Sequence, residues 1–232
     1  MKAKILTTLV ATCLSSAALA QDLEVKITNL THGIYYTPLL VAAHNQDTAL
    51  FKLGEQASEA LQAMAEGGDI SALGQILESA NANMVANPAE GLLAPAGSTM
   101  AMISTSEGNT HLSIVAMLLP TNDGFVGLNA WPIPSAAGTY EVYLNAYDAG
   151  TEANNELVVE GSGAPGILGI PASPGAAPGT QGAGVTASEE NTMVHIHRGN
   201  VGDADQVGGN SDLHNTVHRW LNPVAKVTVT VK

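Results

Sequence analysis

The chain has almost no cysteine and few basic residues. Its single cysteine, Cys13, lies in the N-terminal segment, so we expect no disulfide and no cysteine nucleophile in the mature protein. The 8 Lys and Arg stand against 21 Asp and Glu, a net charge of −13. This balance disfavours nucleic acid and anionic lipid as partners and favours cations and cationic surfaces.

Long apolar runs are also missing. Beyond the N-terminal segment, no stretch of the sequence approaches the roughly 18 apolar residues that a transmembrane helix needs. The N-terminus places Lys2 and Lys4 before the apolar run 5–11, and the small-residue pattern at 18–20 follows, which is typical of a secretory signal peptide cleaved after Ala20. We predict a signal peptide over 1–20 and one domain over 21–232. The mature protein is expected to be a secreted or periplasmic monomer. It would contain six basic and 21 acidic residues.

Motifs of hydrolytic enzymes are absent as well. The sequence has neither a G-x-S-x-G elbow nor an H-E-x-x-H pair. The match to G-x-G-x-x-G at 161–166 is followed by Pro171 and Pro174 instead of the helix that a dinucleotide site needs. Asp148 and Glu152 could serve a glycoside hydrolase as acid and nucleophile, but two acids on one tight loop more naturally share a cation. We therefore predict a non-catalytic protein.

What the sequence does contain is strand-like alternation. Apolar and polar residues alternate at 23–28 and at 227–232, which indicates half-buried strands at both ends, expected as neighbours. Further strands are predicted at 98–104, 111–118, 124–129, 138–146 and 157–159. Their spacing, with Gly, Asn and Pro turns between them, favours an all-β antiparallel sandwich.

Two short helices interrupt this pattern. The first is predicted over 55–65, stopped by Gly67 and Gly68, and the second from about 69, with Asp69 as N-cap. We expect them to form a connection packed across one end of the sandwich. Residues 161–188 hold 8 Gly and 4 Pro without a charged side chain, and this composition predicts a long loop without regular structure.

The densest chemistry lies at two acidic turns. Asp123 sits in the turn 121–124, and Asp148 and Glu152 flank the bend 149–151. If the strands between these turns pair as neighbours, both turns reach the same end of the sheet. Hard oxygen ligands on turns suit Ca²⁺, which accepts six to eight oxygens in irregular geometry. The sequence therefore predicts a calcium site made of Asp123, Asp148 and Glu152.

The same segment resembles a known family. The stretch 118–127, which contains Asn122, Asp123 and Phe125, and the loop Asp-Ala-Gly-Thr-Glu at 148–152 are similar to the spondin N-terminal domain. Stretches at 27–31, 50–54 and 220–224 are similar to its bacterial members. The resemblance departs at Glu152, where animal members carry Asp, and in the missing cysteines; Phe125 stands near the family's Trp.

This resemblance implies a C2-like β-sandwich that holds calcium with Asp123, Asp148 and Glu152. It also implies a secreted recognition or adhesion module whose partner is an extracellular or cell-surface macromolecule.

Histidines form a second candidate site. His195 and His197 alternate along a predicted strand over 192–197, and His214 and His218 stand four residues apart. If the four side chains converge, they could hold Zn²⁺ or Cu²⁺, as in a metal-binding protein of the bacterial envelope. The competing interpretation is that these rings are structural or exposed.

A weaker cation site is conceivable at Asp203, Asp205 and Asp212. The segment opens like an EF-hand loop, but it has Val207 at a ligand position and His214 where the bidentate Glu belongs. The sequence therefore excludes an EF-hand.

Overall fold

The computed structural model describes residues 20–179, 181–188, 190–205 and 207–232. The predicted signal peptide therefore lies outside the described residues, apart from Ala20. In this part of the chain no helix is long and apolar enough to cross a membrane. The described residues form ten strands and two helices: β1 (Asp22–Asn29), β2 (Tyr35–Tyr36), β3 (Leu40–His44), α1 (Glu59–Gly67), α2 (Ser71–Ser79), β4 (Asn83–Ala86), β5 (Ser98–Ser104), β6 (His111–Leu119), β7 (Gly124–Pro132), β8 (Gly138–Asp148), β9 (His195–Ile196) and β10 (Ala225–Val231).

The strands form one antiparallel sheet that curls around a core. Its order is β4-β3-β6-β7-β8-β10-β1-β5, with β2 paired to β6 and β9 to β8. The long strand β8 joins the two halves, because residues 138–144 pair with β10 and residues 145–148 pair with β7. The strands β1 and β10 are direct neighbours, as predicted for the two ends of the mature chain. The all-β sandwich prediction is confirmed.

The main core lies inside the curled sheet. Val25 and Ile27 of β1 and Val227 and Val229 of β10 are at most 1% exposed, so the alternation in the sequence correctly marks the inward face. Strand β3 was not predicted. All five of its residues are buried, since one face meets the core and the other meets the helices, and a strand buried on both faces shows no alternation.

The helix ends follow from local capping. Ser58 caps α1, since its hydroxyl accepts a hydrogen bond from the Leu61 amide, and Gly68 ends the helix with a φ of 73°. The predicted N-cap of α2 is wrong, because the N-cap position belongs to Ile70. Asp69 instead accepts a hydrogen bond from the Ser71 amide at 2.8 Å and so stabilises the turn between the helices.

The two helices cover a face of the sheet, not its end. Met64 of α1 and Leu77 of α2 belong to a second buried cluster that also contains Val115 and Met117 of β6. This cluster is separate from the main core inside the sheet. The prediction that the helices pack across one end of the sandwich is therefore wrong, and β6 is buried on both sides.

Two other predicted strands are shorter than expected. Residues 157–159 contribute only a single bridge from Val158 to Ile170, and the strand over 192–197 is reduced to β9. The Gly- and Pro-rich segment has no helix or strand in its described residues, as predicted. It is nevertheless anchored, since Ile170 and Ala176 form a small buried cluster with Val158 and Leu213.

Because the helices cover the sheet with one face, substitutions at two neighbouring residues of α2 should lower the free energy of unfolding by different amounts. Leu77 is 0% exposed and Ile76 is 43% exposed. We expect Leu77→Ala to lower the free energy of unfolding by about 2–5 kcal/mol, because it leaves a cavity against the sheet, and Ile76→Ala to lower it by less than about 1 kcal/mol. Urea denaturation measures both. Equal effects would contradict this packing.

Candidate functional site

The two acidic turns meet because β7 and β8 are antiparallel neighbours. The turn 121–124 leads into β7, the bend 148–151 leaves β8, and Gly124 pairs with Asp148 in the register. The Ala149 amide donates to the main-chain oxygen of Asp123 at 3.2 Å. The predicted meeting of the turns is confirmed, and calcium binding stays a prediction.

Asp123 is the most enclosed of the three acids, with 0% of its surface exposed. Its Oδ2 accepts hydrogen bonds from the Thr151 amide at 2.8 Å and the Glu152 amide at 3.1 Å. Its Oδ1 is buried and has no hydrogen-bond partner among the described residues. Since a buried carboxylate oxygen without a donor is costly, this oxygen is a natural cation ligand.

Glu152 shows the same division between its two oxygens. It is 4% exposed, and its Oε2 accepts hydrogen bonds from the Gly169 amide at 2.9 Å and Asn122 Nδ2 at 3.2 Å. Its Oε1 is buried and has no partner in the described part of the chain. The longer Glu side chain therefore holds the Gly- and Pro-rich segment with one oxygen and leaves the other free.

Asp148 differs, because protein donors reach both of its oxygens. Oδ1 accepts from the Gly150 amide at 2.8 Å, and Oδ2 accepts from Asn154 Nδ2 at 2.6 Å. His195 Nε2 lies 3.7 Å from Oδ2. Gly150 is required here, since it has a φ of +71° and a Cβ would lie 2.6 Å from the Thr192 carbonyl carbon.

An aromatic cluster supports the acidic turns. The Phe125 ring lies 5.0 Å from the Phe51 ring and 5.6 Å from the Tyr147 ring, centroid to centroid. Phe125 and Tyr147 directly follow and precede the acidic turns and pair with each other across β7 and β8. The rings therefore fix the strand ends from which the acids project.

Without a bound cation, burial and like charge disfavour the state in which the carboxyl groups of Asp123, Asp148 and Glu152 are all ionised. Burial, and after it the negative charge of Asp148, raise the pKa of Asp123 well above its ordinary value. Burial raises the pKa of Glu152 from 4.5 to about 7. Near neutral pH the site therefore takes up protons unless a cation replaces them.

The donor set suits a hard cation. Among the described residues, no three His, Cys, Asp or Glu side chains are grouped as a ready metal centre. Calcium does not require such a group, because it also accepts amide, main-chain and water oxygens. Asp123 Oδ1 and Glu152 Oε1, buried and without a donor in the described residues, are the candidate oxygen ligands for such an ion.

Sequence reasoning missed two buried residues beside the site. Asn122 is 1% exposed and connects both turns, because it donates to Glu152 and Asn155 and its Oδ1 accepts from the Glu156 amide. Glu156 is 2% exposed and accepts from the amides of Val201 and Gly202. Neither role has a local signal, since Asn and Glu are ordinary loop residues and the partners of Glu156 lie about 45 positions away.

The four histidines do not form one centre in the described part of the chain. His195 is partly buried and His197 is 3% exposed, with Ile196 half exposed between them. His197 is buried against Trp220, with ring centroids 4.9 Å apart. His214 and His218 contact each other instead, through a hydrogen bond from the His214 amide to His218 Nδ1 at 2.9 Å.

Hydrogen bonding also sets the tautomers of these rings. The Nδ1 atoms of His197 and His218 accept main-chain amides, both at 2.9 Å, so Nε2 carries the ring proton of the neutral forms. A ligating imidazole normally donates from its second nitrogen, which excludes Nε2 ligation by these two rings as they stand. Only His195 has the suitable arrangement, since its Nδ1 lies 2.8 Å from the Met193 carbonyl oxygen.

At the weaker candidate cation site, the carboxylates of Asp203 and Asp212 already accept hydrogen bonds from main-chain amides. Asp203 Oδ2 accepts from the Asn210 and Ser211 amides. The two oxygens of Asp212 accept from the amides of Gly182 and Val158. Asp203 and Asp212 therefore organise their loops, and Asp205 is exposed.

The fold and the site define a class of protein: an all-β sandwich module with buried acidic turns at one end of a hairpin. The model of the family described as Spondin_N matches residues 28–157. This match spans more than half of the chain, so the protein belongs to the Spondin_N family. It includes Asp123, Asp148 and Glu152. A comparison with curated proteins found no match.

The raised pKa of Glu152 predicts a pH-dependent stability in the absence of metal. Because the pKa rises from 4.5 to about 7 on folding, the stabilising contribution of the protonated group is fully present below pH 4.5 and is lost as pH rises through 7. With EDTA present, the melting temperature of the wild type minus that of Glu152→Gln should fall by several degrees between pH 5 and pH 8.

The Glu152→Gln comparison cancels the titration of other groups, such as His197, whose pKa burial lowers to about 3. Scanning calorimetry at both pH values gives the measurement. A difference that stays constant, or that grows toward pH 8, would contradict the assignment of a raised pKa to Glu152.

Proposed function

We propose that this protein is a secreted, non-catalytic recognition module that binds calcium at its acidic turns. One observation carries the proposal: the register of β7 and β8 brings the turn of Asp123 against the bend 148–152, and Asp123 and Glu152 each retain one buried oxygen without a donor in the described residues. Membership of the Spondin_N family supports a spondin-type module. The signal-like N-terminal pattern agrees with an exported protein.

The proposed role of the ion is structural. Bound calcium would supply positive charge to Asp123 and Glu152 at the oxygens that lack donors. Their other oxygens already hold the amides of Thr151 and Gly169. Each acid would then connect the ion to a different loop, so that occupancy fixes the bend 148–152 and the segment around 169 as one rigid surface for a partner.

Burial of the acids supports a non-catalytic role. A glycoside hydrolase needs two carboxyl groups that reach either side of a sugar. Asp148 and Glu152 are 1% and 4% exposed, and Asp148 is further engaged by Asn154. A cation can occupy such a place, whereas a sugar ring cannot.

A transition-metal role has one specific observation in its favour. His195 Nε2 lies 3.7 Å from Asp148 Oδ2, and an imidazole and a carboxylate at this separation are a usable pair of ligands for Zn²⁺ or Cu²⁺. Within the residues described, no third and fourth ligand converge on this pair to complete a closed zinc site. Calcium therefore remains the proposed ion.

Thermal unfolding at pH 8 with EDTA and then with added Ca²⁺ tests the proposal. Calcium should raise the melting temperature of the wild type, since a ligand at one hundred times its dissociation constant stabilises the native state by about 2.7 kcal/mol. Asp123→Asn should lose most of this response. In EDTA it should melt at or above the wild-type temperature, because the substitution removes a buried charge.

The matched control is Asp205→Asn, which removes one exposed carboxylate from another loop and should keep the full calcium response. A wild type that does not respond to calcium, or an Asp123→Asn variant that responds equally, would overturn the proposal. A response to Zn²⁺ or Cu²⁺ alone, lost in His195→Ala, would favour the transition-metal role instead.

A further inference from the structure

The only two arginines of this chain line the same groove. Arg198 and Arg219 are separated by 20 residues in a sequence with a net charge of −13. Both belong to the wall of a surface groove of about 550 Å³, which also contains Trp220 and Leu221. The groove is therefore a local concentration of positive charge on an otherwise acidic protein.

The close approach of the two arginine-bearing segments depends on a glycine. Gly199 has a φ of +89°, and a Cβ at this position would lie 2.6 Å from the Trp220 main-chain oxygen. Only a residue without a side chain allows 198–201 to run this close to 219–221.

The guanidinium groups are available to a ligand. Both arginines are exposed, and among the described residues neither takes part in an ion pair with an acidic side chain. Arg198 is positioned by hydrogen bonds from Nη2 to the Asn154 carbonyl oxygen at 3.2 Å and to Thr186 Oγ1 at 3.4 Å. Because a guanidinium binds a carboxylate with two parallel hydrogen bonds, arginines are well suited to acidic ligands.

The rest of the wall is apolar. Leu221 is 84% exposed at the groove, and Val201 also lines it. Trp220 is only 8% exposed, so it offers little aromatic face on which a sugar ring could stack. An acidic side chain next to an apolar one matches this surface better than a polyanionic glycan does.

We propose that this groove binds an acidic peptide segment of a partner protein, with carboxylates on Arg198 and Arg219 and an apolar side chain against Leu221. The overall negative charge does not prevent this, because at physiological ionic strength charges beyond about 8 Å are largely screened. The groove also borders the acidic turns, since Asn200 Nδ2 donates to the Pro120 carbonyl oxygen at 2.9 Å.

The inference rests on the proposed function in one respect, that the module recognises a partner. The test uses a fluorescein-labelled peptide with the sequence Ser-Gly-Glu-Leu-Glu-Gly-Ser and fluorescence anisotropy at 0.05 M and 0.15 M NaCl. The wild type should bind it saturably, and Arg198→Gln and Arg219→Gln should each weaken binding about tenfold or more. Arg219→Lys should bind more weakly than wild type and more tightly than Arg219→Gln, because it keeps the charge without the planar fork.

Lys26→Gln is the matched control, since it removes the same charge from the exposed face of β1 and should change affinity less than about twofold. A peptide with Gln in place of both Glu residues should bind at least about tenfold more weakly. The proposal is overturned if the Glu-Leu-Glu peptide does not bind, or if the arginine variants bind it as the wild type does. Tighter binding of a heparin hexasaccharide than of the peptide would also overturn it and identify a glycan groove.

Repeating the titration in EDTA and in Ca²⁺ separates the two proposals. If the peptide binds through the arginines but calcium does not change the melting temperature, the calcium proposal is wrong and the groove proposal stands. If calcium raises the melting temperature but the peptide does not bind, the groove proposal is wrong and the calcium proposal stands.

Discussion

The pairing of Gly124 with Asp148 across β7 and β8 is the constraint on which the acidic end of this protein depends. It forces Asp123 and Asp148 into one buried region, where loss of solvent and, after it, the negative charge of Asp148 raise the pKa of Asp123. Folding alone does not relieve this cost, since donors in the described residues reach only one oxygen each of Asp123 and Glu152. A cation is the simplest addition that would turn this unfavourable cluster into a rigid support.

The chain beyond residue 157 builds on this support. The Gly169 amide binds Glu152, and the amides of Val201 and Gly202 bind Glu156. Buried carboxylates thus organise loops that have little hydrophobic core of their own, apart from the small cluster around Ile170. The arginine groove is formed by these same later segments, next to the turns, so the groove and the acidic site share one scaffold.

The sequence could predict the features that depend on local pattern. Alternation identified β1 and β10, and the turn residues around Asp123 and Asp148 identified where the acids would meet. It could not reveal β3, because a strand buried on both faces has no alternation. It also placed the helices wrongly, since helical spacing shows that Met64 and Leu77 are buried but not which surface they cover. The partners of Glu156 and the shared groove of Arg198 and Arg219 depend on contacts between distant segments, which no local pattern encodes.

The central claim is that a cation completes the coordination of the acidic turns, and a crystal grown with Ca²⁺ tests it most directly. An anomalous difference map should show one calcium ion bonded to Asp123 Oδ1, at about 2.3–2.6 Å, with Glu152 among its other ligands. A map without a peak at Asp123, or with calcium only at the loop of Asp203 and Asp205, would contradict the account.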